Sequence, residues 1–296
     1  MSHHEPDPAE SEPTRATSPI VSGPTSPAVD PRELLDIAIE VVRAGADQAR
    51  SLREQGVSGV DTKSTPTDVV TAADRATERL IIDMLRQRRP GDQILGEETG
   101  SHHGSDATTG RVRWLLDPID GTVNYLYGIP HYAVSLAAEI DGRMTVAVVR
   151  NAVTGEEWTA VAGQGAWREG KRLTGSTVTD LSQTLVATGF AYHPERRRYQ
   201  AKVISQLLGE VRDIRRLGVA SLDLCFAAEG RVDAYFEKSL APWDLAAGGL
   251  IAQEAGLKVT GLRGEPPGER MVLAAPPGIY QALHDRLVEL DADGGP

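Results

Sequence analysis

Two aspartates close a hydrophobic run in Trp114-Leu-Leu-Asp117-Pro-Ile-Asp120-Gly-Thr122. A buried or half-buried carboxylate pair repels itself unless a cation or a proton lies between the two groups. Read alone, Asp-Pro-Ile-Asp-Gly is a type I turn, with Asp at the first position, Pro at the second and Gly just after. The context points further. Trp-Leu-Leu reads as a buried strand, so Asp117 stands at its C-terminal end, the usual edge for sites in α/β proteins. Gly121 and Thr122 then offer a bare backbone and a hydroxyl, and backbone N–H groups there can receive an anion if a helix starts at this point. Hard oxygen ligands beside an anion cradle describe a magnesium-bound phosphate.

Other acids stand at comparable places. Glu97 and Glu98 follow a short strand, Gln93-Ile94-Leu95, and are bracketed by Gly96 and Gly100, so one of them can point into a cleft. Asp74 lies three residues after Thr71, close to a capping box at a helix start, and Asp68 reads as a plain turn residue. Asp244, in Pro-Trp-Asp-Leu-Ala-Ala-Gly-Gly, reads as the N-cap of a helix, with Gly248 and Gly249 predicting close approach of another element. Each acid alone has an ordinary structural explanation. Six of them, each near a turn, a strand end or a helix start, favour a polynuclear metal centre, although spacing alone does not bring them together.

The elements that must position these groups follow from periodicity. A helix is predicted from Pro31, with Asp30 as N-cap and Leu34, Leu35, Ala38, Val41, Val42 and Ala46 on one face. A second follows Thr71 and ends at Arg88-Arg-Pro-Gly91. Strands are predicted at Arg113–Leu116, Tyr132–Ile140, Met144–Val149, Glu157–Ala162 and Gly165–Trp167, with turns at Asp141-Gly142 and Glu169-Gly170. The pattern beyond about residue 180 alternates: a strand at Leu185–Gly189, helices near 195–209 and from Ala220, a strand at Val232–Glu237, a helix from Asp244, a strand at 271–274 and a last helix from Pro277. The sum is an α+β or layered α/β architecture. Residues 31–178 form an N-terminal half with most of the acids, and 179–296 a C-terminal half with Asp244.

Composition bounds the function. The chain has 296 residues, 25% charged, and a formal charge of -11, which argues against holding nucleic acid through its phosphates. The single cysteine, Cys225, excludes an intramolecular disulfide and fits a reducing compartment, where it packs on a helix face. No apolar run approaches a membrane span, and the N-terminus lacks a signal-peptide core, so a cytoplasmic location is expected. Residues 1–30 carry six prolines and five acids against one arginine and read as a disordered tail, in which His3 and His4 have no assigned role.

Four blocks, Lys63-Ser64 through Asp74, Gly96-Glu97-Glu98, Trp114 through Asn124 and Trp243-Asp244 through Gly256, occur in the order of a known family. Over roughly residues 31–290 the sequence resembles the inositol monophosphatase family of magnesium-dependent, lithium-sensitive phosphatases. The resemblance implies a layered αβαβα sandwich, two to three Mg2+ ions and a homodimer. By motif position Glu97, Asp117 and the Ile119 carbonyl would hold one ion, and Asp117, Asp120 and Asp244 a second. Glu97 would also support a weaker third. Thr122 and Asp74 match the pair that activates the attacking water, and the N–H groups of Gly121 and Thr122 would hold the phosphate. Gly218, Val219 and Ala220 match a segment lining the sugar pocket, with valine where the family often has threonine, and Glu237 matches a glutamate that accepts ring hydroxyls.

These matches imply hydrolysis of myo-inositol 1-phosphate or a similar polyol phosphate. Alternatives in the same superfamily are histidinol-phosphate phosphatase, fructose-1,6-bisphosphatase and 3'-phosphoadenosine nucleotidase. The bisphosphate activities need a basic pocket, which Arg215, Arg216 or Arg196-Arg197-Arg198 could supply, although the last three also read as a helix-surface cluster. A regulatory binding protein reusing the fold is the alternative outside enzymes.

Overall fold

The computed structural model describes residues 29–103 and 111–296, together with Met1. The tail expected over residues 1–30 thus lies outside the described residues, apart from Met1, Val29 and Asp30. Helix α1 (Pro31–Gln55) begins where the Asp30 side chain accepts the Arg32 amide. A small ribbon of β1 (Asp61–Thr62) and β2 (Val69–Val70) leads into α2 (Ala72–Arg88). Then come β3 (Gln93–Gly96), β4 (Gly100–His102), β5 (Val112–Asp120), the short α3 (Thr122–Tyr127), β6 (Ala133–Ile140), β7 (Arg143–Asn151), β8 (Glu157–Val161), β9 (Gly165–Arg168) and β10 (Lys171–Arg172). The rest of the chain gives β11 (Leu185–Thr188), α4 (Pro194–Leu207), β12 (Asp213–Arg215), α5 (Ala220–Glu229), β13 (Ala234–Glu237), α6 (Pro242–Glu254), β14 (Lys258–Thr260), β15 (Val272–Ala275) and α7 (Pro277–Glu289).

Two sheets organise these elements. The larger has eight strands in the order β10-β9-β8-β7-β6-β5-β3-β4, and the smaller has five, β12-β11-β13-β15-β14. The side-chain alternation of β5 explains its unbroken apolar run. Val112, Trp114 and Leu116 pack toward α1 and α2, whereas Leu115 packs toward α5 and α6. Both faces are buried, so no polar alternation is needed. Ala187, Tyr235, Val272 and Ala274 of the smaller sheet close the other side of α5 and α6. Its outer face meets α4 and α7 through Val203, Leu207, Ile279 and Leu283. The layers are therefore αβαβα.

One pairing goes beyond the sequence reading, and two local expectations are revised. The larger sheet is antiparallel except that β3 and β5 run parallel, which brings Gly96 beside Leu116 and so Glu97 beside Asp117. Asp-Pro-Ile-Asp is not a type I turn ending a strand. Strand β5 continues to Asp120 and carries a bulge, because Asp117 faces Ser135 while Asp120 faces Ala133, three steps against two. A bulge is where a sheet tolerates proline and re-aims side chains. Asp244 is not an N-cap: Ala241 occupies that position, Pro242 opens the helix, and the Asp244 carboxylate reaches back to the Ala241 amide at 2.7 Å. The close approach predicted at Gly248 is present, since a Cβ there would lie 2.9 Å from Leu224 Cβ and 3.1 Å from the Ser221 carbonyl.

Candidate active site

One cavity of about 680 Å3 opens at the end of β5, between α3, α6 and the start of α5. Its wall includes Glu97, Asp117, Ile119, Asp120, Gly121, Thr122, Gly218, Ala220, Glu237 and Asp244. Asp74 and Val219 stand one layer behind. A second, more apolar cavity of about 620 Å3 lies behind α6, shares only Ser239, Leu240 and Ala241 with the first, and contains none of the predicted site residues.

The β5 bulge sets the centre. Asp117 Oδ1 accepts the Ile119 amide at 3.0 Å, which folds the bulge onto its own first acid. Asp120 Oδ2 accepts the Ser221 amide at 2.7 Å, at the start of α5. Gly121 then adopts φ +92°, and a Cβ there would lie 2.7 Å from Val219 Cγ2. Two constraints coincide: the left-handed backbone favours glycine and the packing excludes any side chain. Val219 therefore supports the floor beneath Gly121 instead of contributing to the cavity wall. Asn124 ties this floor together by donating to the carbonyls of His131 and Leu217, both at 2.9 Å.

Asp74 completes the capping box of α2 with Thr71 and also accepts Thr122 Oγ1 at 3.1 Å. Thr122 Oγ1 stands equally close, 3.1 Å, to the Ile119 carbonyl. The hydroxyl has one proton, so it donates to one of the two at a time and keeps lone pairs for a neighbour. Burial pushes the Asp74 carboxyl up from its ordinary value.

Charge accumulates across this wall. Burial first, then the negative fields of Glu97, Asp120 and Asp244, hold the Asp117 carboxyl well above the usual carboxylate range. Asp244 is raised by burial and then by Asp120 and Glu97. Asp120 is pushed up to about 6, mainly by burial, with the Ser221 hydrogen bonds opposing. Lys63 joins this group: its ammonium lies 2.8 Å from Glu97 and 2.6 Å from Glu98. Burial works against that charge, but the two glutamates outweigh it and hold the ammonium above its ordinary value. Burial pushes Glu98 up to about 7. Glu98 turns to Lys63 and is not part of the cavity wall.

Among the described residues, no group of three or more His, Cys, Asp or Glu side chains is gathered closely enough to hold an ion as it stands. The donor chemistry nevertheless suits one. Asp117, Asp120 and Asp244 each give a carboxylate oxygen to a backbone N–H and share their uncompensated charge around one opening. Hard carboxylate and carbonyl oxygens are what magnesium takes.

The far wall carries Phe190, Tyr192, His193, Arg196, Arg216 and Lys238 beside Glu237. Glu237 accepts Tyr235 Oη at 2.6 Å, and burial pushes it up to about 7. Gly189 leaves room for it, because a Cβ there would fall 2.0 Å from Glu237 Oε2. Of the arginines named from sequence, Arg196 and Arg216 reach the cavity, while Arg215 turns to Asp213 on the surface. Sequence reasoning gave no individual role to Lys63 or Asn124, although both sit inside the blocks that carry the family resemblance, and passed over Tyr192. Cys225 is buried in α5 with its thiol raised by burial.

Comparison with known proteins agrees with this geometry. The model of the inositol monophosphatase family matches residues 30–292. An inositol-1-monophosphatase from Mycobacterium leprae is 46% identical over 275 residues, 88% of this chain and 94% of that protein. The Nus factor SuhB of Escherichia coli K12 is 41% identical over 226 residues, 75% of this chain and 83% of that protein. The solved structure of Mycobacterium tuberculosis SuhB superposes with a TM-score of 0.75 at 38% identity, covering 90% of this chain and 99% of that one. The layered fold, the order of the four blocks and the acids assembled around the β5 bulge all lead to one statement: this chain belongs to the inositol monophosphatase family.

Proposed function

We propose that the chain is a magnesium-dependent phosphomonoesterase acting on myo-inositol 1-phosphate or a closely related polyol phosphate. The observation that carries this reading is the placement of the Glu237 carboxylate, half-buried, in the same cavity as Asp117, Asp120, Asp244 and Thr122, with Asp74 behind Thr122 and accepting its hydroxyl. Glu97, Asp117, the Ile119 carbonyl, Asp120 and Asp244 are the groups that would hold the ions. Bound divalent ions would supply charge neutralisation for the phosphoryl oxygens and a water acidic enough to attack. The chain's own part is positional. Thr122 Oγ1 orients the attacking water by its lone pairs while Asp74 receives the hydroxyl proton. The N–H groups of Gly121 and Thr122 face the phosphate, and Glu237 accepts hydroxyls of the leaving polyol. Attack is in line and leaves no covalent enzyme adduct.

A soluble homodimer with millimolar lithium sensitivity is the expectation that accompanies this reading. The name of the E. coli relative gives the regulatory alternative a specific footing, but every acid the chemistry needs is present here. Asp120→Asn separates the two readings. It should lower phosphate release by more than the roughly 10- to 100-fold that changes behind a ligand cost, with circular dichroism unchanged. Phosphate release that is indifferent to both magnesium and this substitution would rule out the enzyme reading. The same assay run with inositol 1-phosphate, histidinol phosphate, fructose 1,6-bisphosphate and phosphoadenosine phosphate ranks the substrates by kcat/KM.

A further inference from the structure

Helix α2 carries a second acid one turn beyond Asp74. Glu78 is fully buried, four residues along and therefore on the same helix face. No step proposed above uses it. A carboxylate removed from water at such a place must be satisfied locally, and here its partners all belong to the acidic turn after β3. Glu78 Oε2 accepts the Glu98 amide at 3.0 Å. Its Oε1 accepts the Thr99 amide at 3.2 Å and Thr99 Oγ1 at 2.6 Å. Gly96 makes the approach possible, since a Cβ there would sit 2.0 Å from Glu78 Oε1. On the other side of the turn the Glu97 amide donates to the Leu116 carbonyl at 3.1 Å. The backbone of Glu97 is thus held between strand β5 and the Glu78 carboxylate.

We infer that Glu78 is a positioning residue for the metal centre, fixing the Glu97–Glu98–Thr99 turn so that the Glu97 carboxylate faces Asp117. One face of α2 then sets two parts of the site. Asp74 holds Thr122, and Glu78, one turn later, holds the turn bearing Glu97. The inference rests on the reading of Glu97 as an ion ligand proposed above.

The test is Glu78→Gln. Its amide can accept from one partner but turns an N–H toward the other, so part of the clamp becomes repulsive. Calorimetric titration of the substrate-free full-length protein with Mg2+ should show Kd raised by about 10-fold or more. The half-saturating Mg2+ concentration in turnover should rise in parallel, with kcat at saturating Mg2+ within about threefold of the parent. Glu78→Asp, which keeps both acceptor oxygens, should recover part of the affinity. Ile82→Ala, a buried change on the same helix, should lower Tm without moving Kd. If Glu78→Gln does not fold, Thr99→Ala removes a single donor to the clamp and should still weaken Mg2+ binding several-fold.

A lowered Tm with unchanged Mg2+ affinity in Glu78→Gln, or unchanged affinity in Thr99→Ala, would overturn the inference. Glu97→Gln tells that failure from failure of the underlying reading. If it weakens or abolishes Mg2+ binding while Glu78→Gln leaves Kd unchanged, only the positioning role fails. If it leaves Mg2+ binding intact, the ligand assignment fails with it.

Discussion

The two walls of the cavity are built differently. On the acid wall, four of the five acids are anchored by the main chain, Asp74 by the Thr71 amide, Asp117 by Ile119, Asp120 by Ser221 and Asp244 by Ala241, while Glu97 is held by the Lys63 ammonium. On the far wall, anchoring is sparse and mostly between side chains. Glu237 accepts from Tyr235, Arg196 donates to Ser239 Oγ, and Arg216 has neither a hydrogen bond nor an ion pair to any described residue, only the ring of Phe190 at 6.0 Å. Main-chain anchors are shared with a cap, a bulge or a helix start, so moving the acid disturbs the fold. Side-chain anchors change with single residues. The contrast implies that the chemistry is fixed by the architecture and that the choice of alcohol can vary on the same frame.

The largest break in this contrast is expected at Gly121→Ala. The left-handed backbone costs a residue with a Cβ about 1–2 kcal/mol, and the new methyl must also displace Val219 Cγ2 from 2.7 Å. Melting temperature and kcat should fall together, since the same strain moves the N–H groups proposed to receive the phosphate. Adding Val219→Ala removes the clash but not the backbone cost, so the double variant should recover part of the stability. Recovery to the parent Tm would show that packing alone fixes this position. No loss at all in the single variant would contradict the acid wall's dependence on backbone geometry.

How much of this was legible beforehand divides along the same line. The capping box at Thr71 and Asp74, the buried strand at Trp114-Leu-Leu and the close approach at Gly248 are local patterns, and all are present. The bulge reads as a turn in the sequence because proline and glycine signal both, and only the pairing with Ser135 and Ala133 distinguishes them. Asp244 reads as a cap because an aspartate before an apolar helix has that signature, although Pro242 two residues earlier marks the true start. Lys63 bridging two glutamates, the parallel β3–β5 pairing and the reach of Arg216 depend on contacts between distant segments, to which periodicity is blind. The family resemblance supplied the convergence of the acids that spacing could not.

Glu237→Gln should have an intermediate effect, confined to substrate binding. KM for inositol 1-phosphate should rise about 10-fold, as for loss of a charged hydrogen-bond partner, while kcat at saturating substrate and Mg2+ changes little. Acidity sharpens the test. Folding raises Glu237 from 4.5 to about 7, so the folded protein holds a proton that the unfolded chain has released between those values. Stability from this group is present below about 4.5 and is lost as pH rises toward 7. The Tm of Glu237→Gln relative to the parent should therefore improve between about pH 5 and pH 8. Over the same range the parent's KM should fall more steeply than the variant's, because only the parent gains an ionised acceptor on top of the titration that Asp120 and the phosphate share in both. A variant whose KM keeps the parental pH profile would remove Glu237 from recognition.

Arg216→Ala should have the smallest effect of all. Its guanidinium lines the cavity, but no described partner is left unpaired when it goes, and the Phe190 ring loses only a contact of cation–π type, roughly 0.5–1 kcal/mol at an exposed site. Glu237 loses a neighbouring positive charge, which raises its carboxyl slightly further. Turnover of inositol 1-phosphate at about pH 8 should stay within threefold of the parent, and Tm should barely move. A substrate with a second anionic group probes the other side of the contrast, because only such a ligand engages the free donors of Arg216 directly. Its kcat/KM should fall more than that of the monophosphate in the same variant. Equal losses for both substrates, as large as those of Glu237→Gln, would mean that the far wall is as rigidly committed to the polyol as the acid wall is to the phosphate.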